Sequence, residues 1–399
     1  MAGMIFRNAN LLDGENPAKK GVSIAVEGDR ITAITSNATA SPKAGDTVID
    51  MTGLTLMPGM VTGHFHAAYN TDLPLDAPPT EQALRALGNA NIALRCGYTS
   101  VIGAGTYRDI DARVADAIDS GRVDGPRMIP SSRALSPSII GPAEEDSPYV
   151  ACPGPEGHRQ ATLREIENGA TMIKLFASPG HALIGPDAMS DAEITAVVET
   201  AREHGVRTRA HVAGKEHVLR CVRLGVDIID HADGMDEECI EAFLEHDNFV
   251  LPSMYMPYLT SLSDDAIGAN LLHPADYEQM KAAMPKALEA GVKFVPGDDY
   301  GYGELPHGTY SGELVFLVDQ LGISPLEAIK WATKNGGEMT GIEGLGTLAT
   351  GNLADMLIID GDPSVDINII NQPERLVAVI KGGKLMSGKL PTMEPALAG

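Results

Sequence analysis

Positive charge is scarce in this chain. Its 30 Lys and Arg stand against 54 Asp and Glu, a net charge of −24, and no basic cluster interrupts the deficit. Nucleic acids and anionic membranes attract basic surfaces, so neither is an expected partner and a small-molecule substrate is. The blander reading of the same acidity is a solvated surface. No apolar run approaches the roughly 18 residues of a membrane-spanning helix, and Met-Ala-Gly-Met-Ile-Phe-Arg at the start lacks a basic stretch followed by an apolar one. No membrane partner is expected, and the cytoplasm is the expected location. Only four cysteines occur, Cys96, Cys152, Cys221 and Cys239, without paired spacing; a chain of this size does not need disulfide staples, and they read as reduced thiols.

What is present reads as a folded globule. Apolar residues make up 44% and charged residues 21%, without low-complexity tracts. A length of 399 residues suits one (β/α)₈ barrel of about 250 residues with a smaller appendage. The first 57 residues carry short β segments (Met4 to Phe6, Val22 to Val26, Arg30 to Ile34, Thr47 to Asp50, Thr55 to Met57) between Gly, Asn, Asp and Pro turns. The C-terminal stretch returns to that style at Ala354 to Asp360, Arg375 to Lys381 and Lys384 to Met386. Residues 1–57 and 346–399 are therefore expected to pair into a small β-sandwich, with 58–345 as the barrel.

Between the ends, short apolar runs alternate with amphipathic stretches, the pattern of βα units. The runs are Met60 to His66, Ser100 to Gly103, Met128 to Ser131, Met172 to Phe176, Val206 to His211, Val226 to His231, Phe249 to Ser253 and Val292 to Asp298. Eight parallel strands are the content of a TIM barrel, an α/β fold whose active sites lie at the C-terminal strand ends. Helices are expected over Glu81 to Arg95, Ile110 to Ser120, Ala188 to His204, Lys215 to Leu224, Glu237 to Glu245 and Tyr277 to Ala290, and after Ser324-Pro325.

Chemistry-bearing residues gather at those strand ends. His64 and His66 are two apart on strand one, so both leave one face while Phe65 leaves the other. His211 and His231 close strands five and six. A lone histidine at such a place is more often a hydrogen-bonded core residue, but three strands ending in histidine point to an open catalytic metal site. Asp298 and Asp299 end strand eight, where one carboxylate can bind metal and act as general base. Two neighbours cannot both point inward, so the other belongs to a turn before Gly301. Lys174 sits within the apolar strand four, inside or at the mouth of the barrel, unless it snorkels outward; a bare ammonium beside two dications would be repelled.

Pro58-Gly59-Met60-Val61 before His64-Phe65-His66, Lys174 on strand four, His211-Val212-Ala213-Gly214, His231, Gly297-Asp298-Asp299 and Gly346-Thr347-Leu348 through Asn352-Leu353-Ala354-Asp355 together resemble the amidohydrolase superfamily over nearly the whole chain. The resemblance implies two divalent ions, Zn²⁺ by default with Mn²⁺ or Fe²⁺ as alternatives. It implies that His64, His66 and an aspartate hold the more buried ion and His211 and His231 the other. Lys174 would be carboxylated to a bridging carbamate. The family's Gly-Thr-Asp pattern matches Asp299, with Asp298 the alternative.

Lys174 to Gly180 and Gly225-Val226-Asp227 are most similar to the branch containing Xaa-Pro dipeptidases and imidazolonepropionase-related enzymes. In those dipeptidases a Gly-Gly-His-Gly-Asp segment follows strand three, and its histidine helps bind the substrate carboxylate. The corresponding stretch here, Leu135 to Ala143, has no histidine. Tyr255 resembles a substrate-contacting tyrosine of that branch, and His181 follows the lysine strand where it can line the pocket; loop packing is the plainer reading of both. The implied reaction is hydrolysis of a C–N bond, with Asp299 relaying a proton to the leaving nitrogen. Ile139-Ile140 with Met254 and Met256 suggest an apolar amide, N-acyl compound, carbamate or urea. A Xaa-Pro-type dipeptidase or carboxypeptidase is the second reading, and a non-catalytic scaffold of the same fold the third. The oligomeric state stays open, a homo-oligomer included.

Overall fold

A computed structural model describes residues 3–37, 42–70, 77–137, 147–181, 188–262, 272–303, 305–391 and 393–395. The chain opens with β1 (Met4–Leu11), β2 (Lys19–Glu27), β3 (Arg30–Ser36), β4 (Thr47–Asp50) and β5 (Leu54–Pro58). Alternating inward Phe6, Val22, Ile24, Val26 and Ile31 give them one buried face.

Ten short strands follow, with helices between them. They are β6 (Met60–Phe65), β7 (Tyr98–Gly103), β8 (Arg127–Ile129), β9 (Ala134–Ser136), β10 (Tyr149–Ala151), β11 (Met172–Phe176), β12 (Arg207–Val212), β13 (Ile228–His231), β14 (Phe249–Leu251) and β15 (Lys293–Phe294). The helices are α1 (Pro79–Arg95), α2 (Ile110–Asp119), α3 (Gly154–Glu167), α4 (Asp191–Glu203), α5 (Lys215–Arg223), α6 (Glu237–Glu245), α7 (Tyr255–Ser261), α8 (Pro274–Ala290), α9 (Ser311–Asp319), α10 (Pro325–Lys330) and α11 (Gly336–Thr340). Capping fixes several starts. Ser190 Oγ accepts from the Glu193 amide at 3.3 Å while Glu193 accepts from the Ser190 amide at 2.7 Å, a capping box on α4. Ser324 Oγ accepts from the Glu327 amide at 3.2 Å, the expected start before Trp331. The chain ends with β16 (Met356–Asp360), β17 (Leu376–Lys381), β18 (Lys384–Gly388) and β19 (Met393–Pro395).

All eight expected core strands are present, and every pairing among β6 to β15 is parallel. The pairing gives two sheets, β6-β7-β8 and β10-β9-β11-β12-β13-β14-β15, rather than one ring. Backbone bonds cross both gaps: the Met172 amide donates to Pro130 O at 3.2 Å, and the Gly63 amide to Pro296 O at 2.8 Å. Strand eight is shorter than its apolar run. Pro296 has no amide hydrogen and Gly297 takes φ +151°, so the ladder ends before the aspartates. The short parallel strands β9 and β10, and helices α3, α7 and α9, lie outside the expected list.

Val61, Ile102, Ile129, Met172, Ile228, Phe249 and Leu251 from six of the core strands pack with Val295, just past β15, as one apolar cluster enclosed by the strands. The two chain ends do pair, β16 lying antiparallel to β5 in one nine-stranded sheet with Met356 opposite Pro58. β4 pairs with the first half of β1 and β5 with the second, so this sheet forks. Among the described residues no helix is long and apolar enough to cross a membrane.

Candidate metal centre

The apolar cluster between the strands gives way to polar groups at their C-terminal ends. His64 and His66 emerge from β6 on one side, their Nε2 atoms 3.2 Å apart, while Phe65 turns away to pack against His307. His66 Nδ1 lies 2.9 Å from the Gly105 carbonyl. A proton held there leaves the Nε2 lone pair facing the site. Asp299 Oδ1 joins the same point, 2.8 Å from His64 Nε2 and 3.4 Å from His66 Nε2. Burial lowers His64 to about 4, so its imidazole is neutral at ordinary pH. Burial pushes the Asp299 carboxyl up, but the facing His64 and His231 more than offset this and hold it well below the usual range.

Gly297 makes this approach possible. Its φ is +151°, and a methyl group there would lie 2.8 Å from the Gly63 nitrogen and collide with the His64 backbone. The two aspartates diverge immediately afterwards. Asp298 Oδ2 accepts from the Tyr255 and Met256 amides at 3.1 and 2.9 Å, at the start of α7, so Asp299 alone faces the histidines.

A second cluster contains His181, His211 and His231, each offering a ligand atom within 4.8 Å of the others. The His64 and His231 ring centres are 5.3 Å apart, so the two clusters adjoin. His231 occupies the left-handed region at φ +71°, where a residue with a side chain is uncommon. That twist turns it toward the site although its neighbour Asp230 already points inward. His211 Nε2 and His231 Nδ1 are buried with no hydrogen-bond partner. Burial, with His181 nearby, drives both rings well below the usual histidine range. Buried neutral imidazoles with free ring nitrogens suit a metal ion, because an unpaired buried polar atom is otherwise costly. His181 Nδ1 lies 2.8 Å from Asp233 Oδ2, which aims its other nitrogen away from that carboxylate.

Lys174 lies beside both clusters. A methyl group at Gly105 would lie 3.9 Å from Lys174 Cγ and 4.0 Å from His66 Cε1, so the two side chains flank one point. The Lys174 amine pairs with Asp230. Burial lowers its pKa, against the opposing pull of that carboxylate. Asp230 is itself clamped by the fully buried Arg209, whose Nη2 and Nε lie 2.6 and 3.1 Å from its two oxygens. Arg209 Nη1 also donates to the Gly63 and Gly103 carbonyls at 2.8 and 2.7 Å, tying the pair to β6 and β7. Burial alone would raise Asp230; Arg209 and Lys174 outweigh it and keep it ionised.

The remaining expected residues fall elsewhere. The Tyr255 ring packs on Phe316 at 5.5 Å, and a methyl group at Gly312 would overlap its hydroxyl, so this side chain lies along α9. Its link to the site is the amide bonded to Asp298. Met254 and Met256 are packed in the core rather than presented to solvent. Ile139 and Ile140, with most of the stretch after strand three, lie outside the described residues. Tyr300 bonds Glu313 at 3.1 Å and His307 bonds Tyr310 at 2.8 Å, both as packing around the loop.

Several site residues escape a reading of the sequence. Arg209 and Asp230 share the inward face of their strands with His211, a legible parity that nothing marks as polar. Asp233 carries no local signal. Neither do the rings beside the histidines: Tyr69 stacked on His66 at 4.5 Å, and Phe176 stacked on His211 at 4.2 Å.

The sequence pattern of the amidohydrolase family matches residues 55–386. The chain is 30% identical over 380 residues to ochratoxinase of Aspergillus niger, covering 84% of this chain and 76% of that protein. It is 26% identical over 413 residues to imidazolonepropionase of Rubrobacter xylanophilus, covering 94% and 92%. Among solved structures, the crystal structure of A. niger ochratoxinase superposes with a TM-score of 0.86 at 26% identity, covering 97% of this chain and 96% of that one. A Xaa-Pro dipeptidase with methionine bound in its active site superposes at 0.84 and 26% identity, covering 97% and 100%.

Proposed function

The chain belongs to the amidohydrolase family, and from that premise we propose that it hydrolyses C–N bonds of a small molecule with the help of two divalent ions. The arrangement we infer is a closed (β/α)₈ barrel over residues 58–345, with residues 1–57 and 346–399 as a small β-sandwich. The observation that carries the reading is the convergence of His64 Nε2, His66 Nε2 and Asp299 Oδ1, with gaps of 2.8 to 3.4 Å. These three would hold one ion. His211 and His231 would hold the second, with His181 lining the pocket beside them.

Lys174 would bridge the two as a carbamate. Burial disfavours its ammonium form, and CO₂ adds only to the neutral amine. Zn²⁺ is the first choice for these imidazole and carboxylate donors, with Mn²⁺ or Fe²⁺ as alternatives. When bound, the ions supply Lewis acidity and an activated water. Asp299, anionic and 18% exposed, accepts the proton from the attacking water and returns it to the leaving nitrogen. Arg209 and Asp230 hold the strand ends beneath the site.

The substrate class we favour is an apolar amide, N-acyl compound, carbamate or urea. A Xaa-Pro dipeptidase activity is the second reading, favoured by the likeness to that enzyme's structure. The test strips the protein with a chelator and assays a panel of these compounds and Xaa-Pro dipeptides, with and without Zn²⁺, Mn²⁺ or Fe²⁺ and bicarbonate. Restored turnover of at least one C–N substrate supports the reading and its identity chooses the class. Equal turnover by stripped and loaded protein overturns the metal role.

A further inference from the structure

We propose that Phe176 and Tyr149 form the binding corner for a planar aromatic group of the substrate, beside the second imidazole cluster. Phe176 closes β11 two residues after Lys174, on the same face. Its ring lies flat on His211, with centres 4.2 Å apart and planes within 3°. Tyr149, at the start of β10, meets Phe176 edge-on at 5.3 Å and 87°. Two perpendicular rings make a corner in which a third planar ring can stack on one wall and meet the other with its edge, the two arrangements aromatic quadrupoles favour. Burial raises the pKa of the Tyr149 hydroxyl, and the Asp299 carboxylate and then Tyr302 add to it.

Packing alone accounts less well for this pair than for its counterpart on the other cluster. Tyr69 stacks on His66 at 4.5 Å and is backed by Tyr107 at 5.6 Å, and both of these rings are buried. That arm braces a histidine and has no free face. Phe176 and Tyr149 are only partly buried. An apolar flat group packed on the part of these rings left exposed gains both burial and geometry. A saturated ring of the same size gains the burial alone.

The inference rests on the C–N hydrolysis reading for the reaction, but not for the binding. The test uses two substrate pairs: N-methylbenzamide with N-methylcyclohexanecarboxamide, and acetanilide with N-cyclohexylacetamide. Metal-loaded wild type is expected to favour the aryl member of at least one pair in kcat/KM. Phe176→Leu and Tyr149→Leu are each expected to reduce that preference roughly three- to tenfold through KM, the cyclohexyl partner losing less than the aryl one, with metal content measured alongside. Equal losses for aryl and cyclohexyl members, or no aryl preference in wild type, overturn the proposal. If no amide is turned over, calorimetric binding of benzamide decides. Weakening by both substitutions supports the corner while the hydrolysis reading fails, and absence of binding to wild type overturns it.

Discussion

Asp230→Asn strands a buried guanidinium, and the cost can be worked from its surroundings. Arg209 has no exposed surface, and both oxygens of Asp230 accept from it at 2.6 and 3.1 Å. An asparagine keeps one acceptor but turns an NH₂ group toward other donors, and the countercharge for Arg209 and Lys174 is gone. Breaking one side of a buried ion pair costs about 3–5 kcal/mol. With an unfolding entropy of about 2.1 cal/mol/K per residue, 399 residues give roughly 0.8 kcal/mol per degree, so Tm falls by roughly 4–6 °C. Scanning calorimetry on the metal-stripped protein reads this directly. The double variant Arg209→Met/Asp230→Leu removes both charges of this pair and leaves Lys174, whose ammonium form burial already disfavours, so it is expected to recover at least half of the loss, because an apolar pair of similar volume tolerates burial. A single variant within about 1 °C of wild type, or a double variant as unstable as the sum of the singles, would mean that the Arg209–Asp230 pair does not carry this stability.

Gly297→Ala places a methyl group against the Gly63 and His64 backbone at a φ that side chains rarely adopt. The expected result is loss of about one equivalent of metal per chain by elemental analysis, with a destabilisation of about 2 kcal/mol or more in urea melts. Glu313 is a separate, pH-dependent case. Burial, with Asp298 beside it, lifts its pKa from an ordinary 4.5 to about 8. The folded chain then keeps a proton that the unfolded chain releases, so this group's stabilisation is full below about 4.5 and declines as pH rises toward 8, by at most about 1.4 kcal/mol per unit. Glu313→Gln is expected to flatten the urea midpoint between pH 5 and 8; a slope equal to that of wild type contradicts the assignment. Asp299→Asn is expected to reduce kcat by roughly a hundredfold or more. Full activity with both metals bound removes Asp299 as the proton carrier.

The metal-ligating candidates were the most legible part of the sequence because strand periodicity acts over two residues. His64 and His66 share a face for that reason, and Lys174 follows the same rule on β11. The rule breaks at His231. Alternation puts Asp230 inward and should turn its neighbour out, yet a left-handed backbone at φ +71° brings both to the site, and no periodicity announces such a twist. Asp298 and Asp299 are equally undecidable from spacing. The α7 amides that Asp298 accepts settle their directions, and those amides belong to an element some forty residues earlier in the chain. Helix α3 escaped because its apolar residues form no strong stripe, only His158, Ala161, Thr162 and Glu165 being buried. Strands β9 and β10 are three residues each, too short to show a period.

In the proposed centre two ions sit between these histidine clusters and share Lys174. Anomalous diffraction at the zinc edge, from crystals grown with Zn²⁺ and bicarbonate, tests it most directly. One peak is expected among His64, His66 and Asp299, a second at His211 and His231, and Lys174 extended by a carboxylate between them and released from Asp230. No peak at either cluster, with Lys174 unmodified and still paired to Asp230, would contradict it.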